Sequence, residues 1–330
     1  MAREALLDIR DLSVSFTGYR GVSRVLNGVN LTVGRGEKVG LVGETGCGKS
    51  LTVRAVLGLL RKPRARVRGE IWFAGRNLVG LSAGELQLIR GREITVVFQD
   101  PMAALNPVFT VGEQLRDVIA RSPRHQASER ETWARAVAIL KEVALPDPER
   151  ILHAYPVQLS GGMRQRVLIA MALVNEPALV IADELGTALD VTIQEQILQV
   201  MRSLVDAKGI SVLLITHNLG VVRETTDRVY VMYAGSIAET APTADLFRAP
   251  KHPYTQGLLA SVPKLTGEGV PRGIDGMIPD YLSPPPGCRF APRCPFVQPR
   301  CQQPPPWVGV GPDHALACVL YDGAPTGLRS

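Results

Sequence analysis

The stretch Gly43-Glu44-Thr45-Gly46-Cys47-Gly48-Lys49-Ser50 matches the pattern G-x-x-x-x-G-K-[S/T], whose residue types suit the grip of a polyphosphate. Its glycines permit backbone conformations that turn successive N–H groups inward toward phosphate oxygens. A helix opening at Lys49 adds a partial positive charge at its N-terminus, with Leu51 in its first turn. Lys49 can then reach the terminal phosphates, and the Ser50 hydroxyl can ligate Mg²⁺. Cys47 reads as a small filler whose thiol pKa the helix N-terminus should lower. A triphosphate site also needs acid at the end of a buried strand, and LVIADE (179–184) supplies it. Asp183 is placed to hold Mg²⁺, often through water, and Glu184 to polarise an attacking water. His217 ends VLLITH (212–217), the next apolar run, so in a parallel sheet it emerges at the same edge, within reach of a γ-phosphate. The chemistry implied is hydrolysis of a nucleoside triphosphate.

These residues need a sheet to hold them. Residues 6–16 and 25–33 are short, partly alternating apolar segments that read as antiparallel strands. KVGLVG (38–43) is a compact apolar strand feeding the glycine-rich turn, followed by a helix from about Lys49 to Leu60. RKPRARVRGE (61–70), with five basic residues in its first eight positions, reads as a solvated loop. ITVVFQ (94–99) is another buried strand, and the pattern from Thr110 to about Leu145 is that of a helical subdomain. LVIADE and ISVLLIT (210–216), joined by a helix from about Val191 to Ala207, form a β–α–β unit and so a parallel sheet buried on both faces. RVYVMYAGSIAE (228–239) predicts a hairpin turning at Ala234-Gly235, and beyond about Pro250 proline and glycine rise while periodicity fades.

A chain of 330 residues suggests two or three domains, and 45% hydrophobic with 21% charged residues suits a sizeable core. The net charge of +6 fits either a negatively charged partner or an ordinary basic surface. The opening MAREALLDIRDL lacks the apolar run of a signal peptide, and no stretch approaches the roughly 18–20 apolar residues of a membrane span. The expectation is a cytosolic protein without disulfides.

LSGGMRQR (159–166) narrows the class, because Ser160, Gly161 and Gly162 open a second helix with a second anion-binding N-terminus. With it the chain resembles the ATP-binding subunits of ABC transporters. In that family the signature completes the ATP site of a second subunit in a head-to-tail dimer. The resemblance implies Gln99 of VVFQD as the Q-loop glutamine, serving catalysis and Mg²⁺. It implies Asp190 of TALD (187–190) as the D-loop residue and His217 as the switch histidine. Phe16 is the candidate for stacking on adenine, with Tyr19 as a rival. FQDPMAALNP (98–107) and KHPYTQGLLASVP (251–263) are similar to the oligopeptide/dipeptide branch of importer ATPases. Where the family usually has Pro and then Thr or Ser after its two carboxylates, this chain has Leu185 and Gly186, which predicts hydrolysis retained with a looser flanking loop.

The fold expected is α/β, a P-loop NTPase of ABC type. A mixed sheet core carries an antiparallel β subdomain and a helical subdomain at about 100–175, within a domain spanning 1–250. A small irregular cysteine-rich extension follows over 251–330. Its Cys288, Cys294, Cys301 and Cys318 make a complete thiolate set for zinc or a 4Fe-4S cluster. Spacings of five, six and sixteen residues lack the tight C-x₂-C knuckle of zinc ribbons and lean toward iron–sulfur, which members of that branch carry. Arg289, Arg293 and Arg300 would offset cluster charge or simply be solvated. The alternative is reduced cysteines in a small proline-rich core.

The resemblance further implies an ATP- and Mg²⁺-dependent motor, peripheral on the cytoplasmic face of the cell membrane. Its expected partners are a second ATPase subunit, two transmembrane permease subunits and an extracytoplasmic solute-binding protein. Peptide is the expected cargo and nickel the alternative. Two rivals stand beside it. A soluble ABC ATPase acting on nucleic acid would show a second cassette, heptads or a strongly basic arm, and none is present, so no nucleic-acid partner is expected. A non-hydrolysing regulatory subunit would not need Glu184 and His217.

Overall fold

The computed structural model describes residues 4–60, 63–121, 128–185, 190–262 and 273–323. Chain contacts divide it into two compact units, Ala5–Val33 with Lys38–Gly80 and Ile215–Ser330, and Met1–Glu4 with Gly34–Glu37 and Leu81–Leu214.

The first of these units opens with β1 (Ala5–Gly18) and β2 (Gly21–Gly34), whose two-residue link permits only an antiparallel return. β3 (Lys38–Val42) is almost wholly buried and runs straight into the glycine-rich turn and α1 (Lys49–Val56). The helix stops four residues before Leu60, where the Leu59 N–H donates back to the Arg54 carbonyl at 2.8 Å. β4 (Ala65–Phe73) and β5 (Arg76–Asn77) complete a sheet of order β2-β1-β4-β5. The loop expected over 61–70 is therefore a strand from Ala65 onward. Its charged residues sit on the solvated side of a two-residue alternation, Arg66 and Arg68 facing out while Ala65, Ile71 and Phe73 are buried. Charge density masked that period.

The other unit contains α2 (Ala83–Ile89), β6 (Ile94–Val97), α3 (Pro101–Ala104), α4 (Val111–Ala120), α5 (Glu129–Glu142), α6 (Pro148–His153), α7 (Gly161–Leu173), β7 (Leu179–Asp183), α8 (Val191–Lys208) and β8 (Ser211–Ile215), the last residue of which falls in the first unit. Helices begin where the sequence supplies acceptors. Thr110 with Glu113 and Ser128 with Glu131 form reciprocal capping boxes at the starts of α4 and α5. Val111, Leu115 and Ile119 then recur on one buried face of α4. Strands run β8-β7-β6, with β6 parallel to β7 and Val97 level with Ala182. β7 reads LVIAD because its first four residues are all buried.

The chain re-enters the first unit through α9 (Leu219–Thr225), the hairpin β9 (Arg228–Tyr233) and β10 (Ser236–Pro242), then α10 (Thr243–Arg248) and α11 (Pro253–Ala260). The hairpin turns at Ala234-Gly235, as its sequence predicts. β3 pairs parallel with β9, and β10 pairs antiparallel with β9, so this sheet is mixed. The tail is less irregular than its composition suggests. β11 (Trp307–Gly311) and β12 (His314–Ala317) form a hairpin that adds to β10, giving the order β11-β12-β10-β9-β3. Glycines in WVGVG hide its alternation.

Glu239 pins that addition. Its carboxylate has no exposure, accepts from His314 Nε2 at 2.7 Å, and accepts the N–H groups of Lys251 and His252 at 2.7 and 3.0 Å. Burial pushes its pKa up, but these bonds hold it below the ordinary carboxylate value. Its contribution to stability is thus full at neutral pH and is lost as acid takes the pH down through that lowered pKa. Glu239→Ala strands three buried donors and is expected to lower the unfolding free energy by about 3 kcal/mol, read as an earlier urea midpoint.

Candidate functional site

The glycine-rich turn sits between β3 and α1, as the sequence requires. At Gly43 φ is +153°, and a Cβ there would lie 2.2 Å from the Met232 carbonyl oxygen, so only glycine lets the loop pass β9. Lys49 is 6% exposed, and its ammonium donates to the carbonyls of Gly43 at 2.7 Å and Glu44 at 3.0 Å, aimed into the curve of the loop. Thr45, Gly46 and Ser50 are exposed, while Leu51 and Gly48 are half-buried. Cys47 is fully buried, and burial pushes its thiol pKa up, outweighing the opposing pull of Lys49. The lowered pKa expected from the helix N-terminus is corrected accordingly: desolvation wins, and the residue packs as an inert filler.

In the same unit Phe16 lies near the end of β1, half-buried and level with Ala65, whereas Tyr19 is fully exposed. His217 is exposed two residues beyond β8, and Asn218 after it caps α9 through the N–H groups of Gly220 and Val221.

Several contacts to the loop have no counterpart in the motif. The Glu44 N–H donates to Tyr254 Oη at 3.0 Å, Tyr281 Oη donates to the Gly46 carbonyl at 2.7 Å, and the Gly235 N–H donates to the Cys47 carbonyl at 2.7 Å. Burial pushes the Tyr281 pKa up to about 12, so this phenol remains a donor. Burial also lowers the His252 pKa to about 4, leaving Nδ1 to accept the Tyr254 N–H at 3.0 Å. Arg293 binds the Glu44 carboxylate, and Arg289 donates to the carbonyls of Ala234, Val25 and Arg24. These two arginines are engaged with protein carbonyls and carboxylate; Arg300 is exposed and pairs with Asp322. Sequence reasoning missed the support they give. The signal available was the KHPYTQ motif itself, which carries Tyr254.

The remaining candidates belong to the other unit. Asp183 ends β7 and Glu184 follows it with φ +53°, an unusual conformation for a non-glycine residue that marks a constrained turn. Gln99 follows β6 by two residues, and the register of β6 with β7 brings it to the same sheet edge as Asp183 and Glu184. Leu185 is buried, and its carbonyl accepts from Gln194 at 3.2 Å. Gly186 and Thr187–Leu189 lie outside the described residues. Ser160 caps α7 by accepting the Met163 N–H at 3.3 Å, so Gly161 and Gly162 form the helix's first turn. A Cβ on Gly162 would meet Ile193 at 2.9 Å, on the first turn of α8 that Asp190 caps through the Ile193 N–H at 2.9 Å.

Cys288, Cys294, Cys301 and Cys318 all line one pocket with His252, Phe290, Pro305 and Val319. None is in a disulfide. Burial raises the thiol pKa values of Cys288, Cys294 and Cys318, and neighbouring cysteines raise them further. Among the described residues no three His, Cys, Asp or Glu side chains come close enough to hold a single metal ion. The donor set is all sulfur. A lone zinc with bonds of about 2.3 Å would need the sulfurs drawn together to roughly 3.8 Å, whereas a cubane cluster accepts a wider set.

Among the described residues no helix is long and apolar enough to cross a membrane. A family model described as ABC transporter matches residues 26–186, and one described as Oligopeptide/dipeptide transporter, C-terminal region, matches 238–301. The Dipeptide transport ATP-binding protein DppD of Bacillus subtilis is 47% identical over 322 residues, 97% of this chain and 96% of that protein. The Oligopeptide transport ATP-binding protein OppD of the same organism is 45% identical over 325 residues, 97% of this chain and 90% of that protein. A solved dimer of the ATP-binding cassette MJ0796, in a post-hydrolysis state bound to ADP and Pi, superposes with a TM-score of 0.64 at 29% identity, covering 72% of this chain and 98% of that one.

Proposed function

This chain belongs to the ATP-binding subunits of ABC transporters, and from that premise we propose that it drives import of oligopeptides or dipeptides through membrane permeases. The carrying observation is one continuous likeness. Peptide-transport ATP-binding proteins match the chain almost end to end, cassette and peptide-type C-terminal region together. The division of labour follows, with 1–250 as the ATPase domain, about 100–175 as its helical subdomain, and 251–330 as the extension.

Two ATPase subunits close over two ATP molecules, each held between one phosphate loop and the Ser160-Gly161-Gly162 helix of its partner. Lys49 and the loop N–H groups neutralise phosphate charge. Ser50, Asp183 and Gln99 are the residues that would hold Mg²⁺, which would supply positive charge to offset that of the phosphates. Glu184 orients and polarises the attacking water while His217 steadies the γ-phosphate; Phe16 stacks on adenine, and Asp190 meets the partner subunit. Loss of the γ-phosphate removes contacts that hold the pair shut, and the pair reopens. Peripheral attachment to the cytoplasmic face of the membrane, through two permease subunits served by an extracytoplasmic solute-binding protein, completes the importer. Purifying the membrane complex through this chain and assaying its ATPase with candidate solutes tests the cargo. Stimulation by short peptides presented on the binding protein is expected. Stimulation by nickel and not by peptides would overturn the peptide assignment.

For the four cysteines we propose a 4Fe-4S cluster with a structural role, supported by their lining one pocket together and by spacings too wide for a zinc knuckle. Protein purified without oxygen should contain about four iron atoms and as many sulfides per chain, and Cys294→Ser should lower both. One zinc and no iron would instead assign the site to zinc.

A further inference from the structure

The segment Cys288–Cys294 reaches the phosphate loop from two directions. Arg289 lies beneath the Ala234-Gly235 turn, bonded to the carbonyls of Ala234, Val25 and Arg24, and this turn in turn holds the Cys47 carbonyl. Phe290 packs its ring against Tyr233 and Tyr254 at 5.1 and 5.4 Å, and Tyr254 holds the Glu44 N–H. Arg293 completes the grip. Its side chain is only 5% exposed, and one terminal nitrogen donates to both Glu44 carboxylate oxygens, at 3.1 and 3.0 Å. The same nitrogen contacts Tyr233 Oη at 3.3 Å, while Nε and the other terminal nitrogen donate to the carbonyls of Asp275 and Ile274 at 2.8 and 2.9 Å.

A carboxylate at the second position of a phosphate loop is an electrostatic liability, because the loop must accept several negative charges nearby. A largely desolvated guanidinium, fixed by two backbone carbonyls before it meets Glu44, removes that liability and sets the direction in which Glu44 points. We propose that Arg293 is a positioning residue for ATP binding: it holds and neutralises Glu44, so that the loop's affinity for nucleotide depends on the C-terminal segment carrying the arginine. The proposal rests on the assignment of 43–50 as the ATP site. It makes the extension part of the nucleotide machinery although none of its residues belongs to the motif.

Steady-state ATPase of the full-length chain in its complex tests it, with KM for MgATP and kcat measured separately. Arg293→Gln is expected to raise KM about 10-fold with kcat within about two-fold, because at saturation the loop is held by its ligand. Arg293→Lys keeps the charge but not the fork, and should raise KM less; it carries the same comparison if the glutamine variant does not fold. Glu44→Gln removes the carboxylate that Arg293 holds and neutralises. In that background Arg293→Gln should raise KM far less than in the wild type. An equal rise in both backgrounds would show Arg293 acting only as a scaffold and overturn the proposal. Lys49→Ala serves as the control. If it weakens nucleotide binding while Arg293→Gln does not, the proposal fails and the site stands. If Lys49→Ala also leaves binding intact, the assignment of the site itself fails.

Discussion

Replacing Glu184 with glutamine is expected to reduce ATP turnover about 100- to 10,000-fold, the range that loss of a general base produces, while leaving ATP bound. Glutamine keeps the size of the side chain and can still orient a water, but it cannot draw a proton from one. Glu184 lies one residue past the end of β7, with positive φ, at the same sheet edge as Gln99. A residue held in that conformation has its direction set by the backbone, so the amide should occupy the same place as the carboxylate. ATP affinity should therefore be retained, and closed pairs of subunits should accumulate. The assay is single-turnover hydrolysis in the membrane complex with the partner subunit's own site inactivated. Normal turnover there would assign the base to another group.

Lys49→Ala should act on binding rather than on the chemical step. The ammonium, buried and already fixed by the Gly43 and Glu44 carbonyls, pays little reorganisation to meet phosphate oxygens. Losing a charge-assisted contact of this kind costs about 1.5–3 kcal/mol, which corresponds to a roughly 10- to 100-fold rise in Kd. Titration with a fluorescent ATP analogue measures it directly. The contrast between the two variants separates roles: Glu184→Gln binds without turning over, whereas Lys49→Ala binds poorly.

What could be read from the sequence was local. Gly43 to Ser50, the strand before it, the helix after it and the hairpin at Ala234-Gly235 are all specified by neighbouring residues, and the fold places them as the pattern requires. The Ser160 cap and the strand-end carboxylates are local in the same sense. Long-range features stayed hidden. Arg293 meets Glu44 across 249 positions, and nothing in either segment's periodicity announces the other. Ala65–Phe73 was masked by its arginines, whose charges obscured a two-residue alternation, and β11–β12 by glycines that contribute no side chain to one. Cys47 shows a local rule losing to a global one. The helix N-terminus should favour its thiolate, yet packing on every side removes the water a charge would need.

The position of the extension also changes how the cassette is understood. Tyr254, Tyr281, Arg289 and Arg293 all lie beyond residue 250, and all engage the phosphate loop or the turn against it. A segment that composition marks as a proline-rich tail is thus part of what holds the 43–50 loop in place.

The central claim, that hydrolysis by this chain powers peptide import, is tested most directly by uptake of a labelled peptide into vesicles. The vesicles carry the complete complex and its binding protein, with ATP on the cytoplasmic side. Uptake that requires ATP with the wild-type chain, and that disappears with Glu184→Gln although ATP remains bound, is the result predicted. Peptide uptake continuing unchanged with Glu184→Gln would contradict it.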